Sequence, residues 1–402
     1  MKTKAIIFLA DGMADEALPE LNEKTPLEAA STPAMDAIAR EGKNGTFLTL
    51  PDGLPTSSDV ANMSVLGFYP EKNYPGRGPI EAVSQGVSLA ADDVAWRCNL
   101  VYVSDDDVLR DYSAGHIDNE TSTALMNALQ EEFGNEDVTF YPGVSYRNLL
   151  VLHGKKFSKN IDYFKPDSSQ DEPIAQLQPS PLDDSPEAKY TVEFLQDLDR
   201  RTAEFLKKHP LNQGKDAPGN RIWPWSPGYA PNLTPFEEAY GGKGAVISAV
   251  DVIKGIGKAS GMTVYEVPGA TGFLDTNYQG KVDATLEAIK THDLVYVHVE
   301  AIDECSHLGD LKLKLQAIED FDSKIVAPIR KALEGQNINF AVLPDHPVPI
   351  KLRKHTTTPV PLAVCGPAIK ADAVDSFSEN KAPTGELGFL KGNQLVRFLL
   401  GL

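Results

Sequence analysis

Short runs that are apolar almost throughout, rather than alternating apolar and polar, mark the start of the chain and its last two-fifths. Residues 5–10 (AIIFLA), 244–250 (GAVISAV), 262–267, 294–299 (LVYVHV), 338–343 (INFAVL) and 362–364 have this character. Such runs predict strands buried on both faces of a parallel sheet. Patterns of helical period lie between them: about 34–40, a stretch through Ile256, then 280–291, 311–333 and 393–400. The first is opened by Thr32 as N-cap with Pro33 at the first helical position. Strand and helix in alternation predict an α/β fold: a doubly wound, mostly parallel sheet with helices on both faces.

The middle of the chain breaks this rhythm. Residues 94–152 carry short runs (AWRCNLVYV, DVTFYPG, RNLLVLH) around one helical pattern at 122–132. Residues 165–189 are rich in Pro, Asp and Ser and read as a surface excursion. A chain of 402 residues exceeds what one core usually absorbs. The expected organisation is a smaller α+β domain at 91–185, inserted into a larger α/β domain made of 1–90 and 186–402.

Composition narrows the partners. With 42% hydrophobic and 24% charged residues the chain is of the soluble globular type. A net charge of −19 argues against nucleic acid and against anionic membranes. A small anionic substrate needs only a local basic pocket and stays open. Cys98, Cys305 and Cys365 are too few and scattered for a disulfide framework. Residues 5–10 are too short for a signal sequence and meet Asp11 at once, and no apolar stretch reaches the ~20 residues of a membrane helix. A cytoplasmic location is expected, and the sequence sets no oligomeric state.

Candidate chemistry sits where the apolar runs end. Asp11 follows the first. Asp303 and His307 stand four apart after the 294–299 run, Asp345 and His346 follow the 338–343 run, and His355 precedes the last. Open α/β sheets bind ligands outside the carboxyl ends of their strands. Asp–His combinations there suit zinc or manganese, with magnesium, which prefers all-oxygen shells, as a further option. Shared over two ions, these ligands leave open positions, as a catalytic site requires. Two-metal sites serve phosphoryl or ester chemistry. Ser58, within PTSSDVAN at the start of a helical pattern, is the nucleophile candidate, with Ser57 and Thr56 as alternatives.

These segments, together with FLADGMAD at 8–15, SSDVANMSVLG at 57–67, GRGPIEA at 76–82, DYSAGHI at 111–117, PGVSYRNLLV at 142–151 and VPGATGFLDTNY at 267–278, resemble one family almost end to end. It is the archaeal-type cofactor-independent phosphoglycerate mutases and their bacterial relatives, metalloenzymes of the alkaline phosphatase superfamily. The resemblance implies an alkaline-phosphatase-like fold, an inserted lid, and interconversion of 3-phosphoglycerate and 2-phosphoglycerate without 2,3-bisphosphoglycerate. It also implies ligand sets: Asp303, His307 and His355 for one divalent ion, and Asp11, Asp345, His346 and the Ser58 hydroxyl for the other. A phosphoserine would form at Ser58. Arg77, Arg97, Arg110, Arg147 and Arg221 lie in or beside matching stretches and become candidates to clamp substrate phosphate and carboxylate. Asp111 and His116 become candidates to orient the acceptor hydroxyl or move its proton.

Two stretches depart from the family pattern. Residues 164–171 hold no histidine where many relatives have a Pro-His-Asp segment, and Trp223-Pro224-Trp225-Ser226 stands where many have Trp-x-Trp-Gly. GAVISAVDVIKGIG and VHVEAIDE also resemble a bacterial branch proposed to phosphorylate homoserine, which would need an external phosphate donor.

Overall fold

The computed structural model describes residues 3–402. The chain forms two units, one from Met1–Tyr74 with Leu233–Leu402 and the other from Pro75–Asn232. The insertion is therefore wider than 91–185, and strand pairing is the reason. Strand Arg221–Gly228 hydrogen-bonds along Val94–Val103. Helix Arg77–Ser84 packs on Val94–Val103 and helix Pro186–Lys208 on Arg221–Gly228.

In the first unit eight strands form one sheet. Their order is Thr263–Tyr265, Gly244–Ile247, Leu294–Val299, Lys4–Ala10, Ile338–Leu343, Val360–Cys365, Lys43–Leu48, Gly388–Lys391. Val360–Cys365 runs antiparallel to both its neighbours, and the other neighbouring pairs are parallel. Lys4–Ala10 is interior, with Phe8 opposite Val297 on one side and Val342 on the other. Ile6, Phe8 and Ala10 enter a core with helices Pro33–Glu41, Tyr278–Thr291 and Leu311–Phe321. Ile7 and Leu9 point to the opposite face, because side chains alternate along a strand. Helix Gln394–Leu400 is fixed on that face: Asn339, between the core residues Ile338 and Phe340, donates its amide to the Leu399 carbonyl at 2.8 Å. Truncating a residue as buried as Phe8 to alanine would cost about 3–5 kcal/mol.

The strands Lys43–Leu48 (KNGTFL) and Gly388–Lys391 (GFLK) had no apolar run to announce them. The predicted 311–333 helix is divided into Leu311–Phe321, a wide π-helical turn over Asp322–Val326, and Ala327–Ala332. Pro328 lies just past the turn and has no N–H to continue an α-helical ladder. Asp322 uses the turn to accept from Ala34 N at 3.1 Å and Met35 N at 2.7 Å. It thereby caps helix Pro33–Glu41, whose N-cap residue Thr32 makes no side-chain capping bond.

The second unit holds an antiparallel sheet in the order Leu109–Asp111, Val94–Val103, Arg147–Leu152, Val138–Val144, with Arg221–Gly228 added along Val94–Val103. Helices Asn119–Phe133 and Pro186–Lys208 share its core, Leu125, Leu129, Leu195 and Leu198 packing with Trp96 and Leu150. Residues 165–189 include two short 3-10 turns and a strand pairing of Ser180–Pro181 with Ile161–Asp162. Among the described residues no helix is long and apolar enough to cross a membrane.

Candidate metal centre

The topology of the first unit brings distant residues to one edge of the sheet. Leu294–Val299, Lys4–Ala10 and Ile338–Leu343 are adjacent and parallel, so their carboxyl ends lie side by side. Asp11 leaves the middle strand. Asp303 and His307 sit in helix Ala301–Leu308, which follows the first of the three, four residues apart and thus on one face. Asp345 and His346 lie past the end of the third, where Pro347 bridges to Met13 and the backbone is no longer a regular strand. His355 precedes the antiparallel strand, whose beginning reaches the same edge.

Gly12 makes the close approach possible. Its φ is +67°, and a Cβ there would lie 2.7 Å from the Asp303 Cα. Its N–H donates to Asp345 Oδ1 at 3.1 Å. A residue with a side chain would have to push apart two ligand-bearing segments.

All seven residues named from the sequence converge. Asp303, His346 and His355 each place a donor atom within 4.8 Å of the others, and so do Asp11, Asp345 and His346. His307 Nε2 lies 2.9 Å from His355 Nε2 and 3.3 Å from Asp303 Oδ2. His346 stands between the two groups, its ring stacked on His355 at 3.8 Å between centroids. The Ser58 hydroxyl is 3.1 Å from His346 Nε2, whereas Ser57 is turned to the Pro55 carbonyl at 3.4 Å. Of the two serines, Ser58 is the one whose hydroxyl faces the cluster.

The electrostatics demand compensation. Asp11, Asp303 and Asp345 are all buried. Burial, then the charges of Asp345, Asp303 and Glu300, raises the Asp11 carboxyl well above the carboxylate range. Burial likewise lifts Asp345 to about 6. Burial would also raise Asp303, but the adjoining imidazoles of His307 and His355 outweigh it and hold this carboxyl far below its ordinary value. Burial opposes the charge on His307, yet the Asp303 carboxylate wins and lifts that imidazole to about 9. Asp11 Oδ1 and Asp303 Oδ1 are buried without a hydrogen-bond partner. Orphaned carboxylate oxygens facing imidazole nitrogens form a donor set that fits divalent cations.

Several supporting residues carried no signal at the sequence level. His298 Nε2 is hydrogen-bonded to Asp11 Oδ2 at 2.9 Å. Asn62 donates to Asp345 Oδ2 at 2.9 Å and to the Ser58 carbonyl at 2.7 Å. Behind the 345–350 segment Lys314 and Asp15, both fully buried, form an ion pair at 2.7 Å. Lys314 also donates to the Val348 carbonyl, and Asp15 accepts from Ile350 N.

The remaining candidates all lie in the second unit. Arg77 and Arg97 both donate to Glu81, which helix Arg77–Ser84 holds buried. Burial would raise the Glu81 carboxyl, but Arg97 and Arg77 outweigh it. The Arg77 and Arg97 guanidiniums also lie over the Trp225 ring, and Arg147 over Tyr146 at 4.8 Å. Burial pulls Arg97 down to about 10, with Arg77 and Arg147 adding to the effect. Three guanidiniums around one carboxylate leave a net positive patch. Arg110 and Arg221 stand apart from it. Arg110 is exposed and paired with Asp106 and Asp171, each at 3.0 Å, and Arg221 is held by Asp199. Asp111 accepts from the backbone and hydroxyl of Ser113, both at 2.7 Å, and from Gly115 N at 3.1 Å. That turn presents His116 at the surface with φ +53°.

A family profile described as 2,3-bisphosphoglycerate-independent phosphoglycerate mutase matches residues 39–212. The chain is 47% identical to a protein of that name from Methanosarcina barkeri, over 99% of each chain. It is 43% identical to a probable one from Geobacter sulfurreducens, again over 99% of each. Among solved structures, a protein from Pyrococcus horikoshii matches with a TM-score of 0.83 at 28% identity, covering 100% of this chain and 97% of that one. A cofactor-independent phosphoglycerate mutase from Thermoplasma acidophilum matches with a TM-score of 0.67 at 27% identity, covering 100% and 99%.

Proposed function

The chain belongs to the 2,3-bisphosphoglycerate-independent phosphoglycerate mutase family, and we propose that it interconverts 3-phosphoglycerate and 2-phosphoglycerate through Ser58. The observation that carries this reading is the Ser58 hydroxyl, 3.1 Å from His346 within a cluster of buried aspartates and histidines. Full-length likeness to phosphoglycerate mutases favours this substrate pair over homoserine.

We assign Asp303, His307 and His355 to one divalent ion, and Asp11, Asp345, His346 and the Ser58 hydroxyl to the other. Manganese and zinc both suit this mixture of carboxylate and imidazole. Bound there, the ions supply the positive charge that lowers the pKa of the Ser58 hydroxyl and screens the phosphoryl oxygens.

The chain's own groups do the rest. Ser58 Oγ forms a bond to phosphorus as the bond from phosphorus to the glycerate oxygen breaks. The resulting phosphoserine sits at the first turn of helix Ser58–Val65, where unpaired backbone N–H groups favour negative charge. Glycerate then returns its other hydroxyl to the phosphorus, and Ser58 is released. Retaining glycerate needs anion-binding groups, and Arg77, Arg97 and Arg147 take that role as a cluster. His116, held by the Asp111 turn, is assigned the acceptor's proton. Arg110 and Arg221 are assigned to their ion pairs. The acidic chain acts on a small phosphorylated metabolite in the cytoplasm.

The test is turnover of manganese-loaded protein with 3-phosphoglycerate alone, coupled to enolase. Formation of 2-phosphoglycerate without added bisphosphoglycerate is expected. Absence of product from folded, metal-loaded protein overturns the mutase reading.

A further inference from the structure

Strand Leu294–Val299 supplies no ligand, yet two of its side chains, two residues apart and so on one face, reach toward the same ion-binding group. Tyr296 donates its hydroxyl to Asn62 Oδ1. Asn62 spends its two amide hydrogens on the Ser58 carbonyl and on Asp345 Oδ2. Each of its hydrogen-bonding positions thus has a partner of the right kind, and its orientation is fixed. His298 is fixed by similar logic. Ser248 Oγ accepts from Val250 N at 3.0 Å, so its own hydrogen is available to His298 Nδ1 at 3.1 Å. An ion-binding Asp11 carboxylate can only accept, so Nε2 is assigned the hydrogen that points at Asp11 Oδ2, and Nδ1 is left to accept from Ser248. Lys281, buried on helix Tyr278–Thr291, pins the His298 carbonyl at 2.9 Å.

We propose that Tyr296 and His298 are positioning residues for the ion held by Asp11, Asp345, His346 and Ser58, each fixing one carboxylate of that set from behind. This rests on the two-ion reading above. His298 occupies one Asp11 oxygen and leaves the other, the orphaned Oδ1, aimed into the site. Tyr296 acts through Asn62, which ties Asp345 to the backbone of the nucleophile itself. Neither side chain hydrogen-bonds Asp303, His307 or His355, so the larger effect is expected on the ion held by Asp11 and Asp345.

The experiment is manganese titration of chelator-stripped protein by calorimetry, with manganese paramagnetic resonance to resolve the two sites. Wild-type protein is expected to show two binding steps. In His298→Leu one step weakens by about 10–100-fold, the usual cost of losing a group that orients a ligand, while the other is unchanged. His298→Gln, whose side-chain amide can place an N–H near the lost Nε2–H, restores most of that affinity. Tyr296→Phe weakens the same step and keeps the ring, so it carries the test if His298→Leu does not fold. Two wild-type steps in both His298→Leu and Tyr296→Phe overturn the proposal. So does equal weakening of both steps, which marks a general structural role. A wild-type protein that binds no manganese instead overturns the two-ion reading beneath it.

Discussion

The Ser58 hydroxyl oxygen lies 3.1 Å from Nε2 of His346, a histidine stacked against His355 of the neighbouring ligand set. Nucleophile candidate and ligand candidates therefore share one compact cluster, and Ser58 is the hydroxyl that faces the His346 imidazole. Ser58→Ala is expected to abolish turnover while the ion at Asp303, His307 and His355 stays bound. Coupled turnover and metal analysis of the same sample check this. Full activity in the variant removes Ser58 as nucleophile.

Ion binding should depend on pH in a definite direction. In the ion-free site His307 titrates at about 9, so it is protonated at neutral pH. A metal needs the neutral imidazole and must displace that proton. Affinity for this ion should therefore rise from pH 7 to pH 9, by about tenfold per unit for one displaced proton, and level off above. For the other ion, protons on the raised Asp345 carboxyl compete as pH falls through about 6, and the raised Asp11 carboxyl acts in the same sense. Without ions the sign for stability is opposite. The raised His307 contributes stability that is complete below its ordinary value of 6.5 and fades as pH rises through about 9. Calorimetry in buffers of different ionisation enthalpy would count the protons, and a pH-independent affinity contradicts the argument.

Gly12→Ala should disable the site without replacing a ligand. The left-handed φ of +67° alone costs a residue with Cβ about 1–3 kcal/mol. The new carbon would also meet Asp303 Cα at 2.7 Å, and backbone cannot swing aside as a flexible side chain can. Loss of both manganese binding and activity is expected. A variant with wild-type affinity would show that the segments tolerate separation.

Lys314→Met removes one member of a fully buried ion pair and strands the Asp15 carboxylate. Breaking such a pair costs about 3–5 kcal/mol. Because Lys314 also holds the Val348 carbonyl, the segment after His346 loosens too. Thermal melting should drop by roughly 10 °C. Adding Asp15→Leu should recover part of it, since the orphaned charge is gone. An unchanged melting temperature in the single variant rejects this account.

Arg147→Met tests the anion patch at its most exposed member. A lost charge-assisted hydrogen bond predicts a KM for 3-phosphoglycerate raised about tenfold or more, with melting unchanged because the side chain is on the surface. An unaltered KM takes Arg147 out of substrate binding.

The candidate ligands Asp11, Asp303, His307, Asp345 and His346 were legible because they follow apolar runs, and strand ends are where an open sheet binds. His298 was not, because LVYVHV reads as uniform core. The polar tips of Tyr296 and His298, two apart, were the available hint. Asn62 sits one helical turn beyond Ser58, but only the fold brings Asp345 to it. The five arginines were equivalent as letters. Register separates them, since Arg97 pairs opposite Trp225 and so stands beside that ring, whereas Arg110 lies on a short edge strand. The wider insertion was hidden because RIWPWSPG contains two prolines and does not look like a strand.

On the ribosome, Lys4–Ala10 is made before every other strand of its sheet, yet the strands that flank it begin only at residues 294 and 338. At about 5–20 residues per second the wait is on the order of tens of seconds. In that interval the uninterrupted stretch Pro75–Asn232 can close its own sheet, while AIIFLA remains a bare apolar segment for a chaperone to hold. The ion site has Asp11 as its first ligand made and His355 as its last, so a nascent chain cannot complete it until synthesis has passed residue 355.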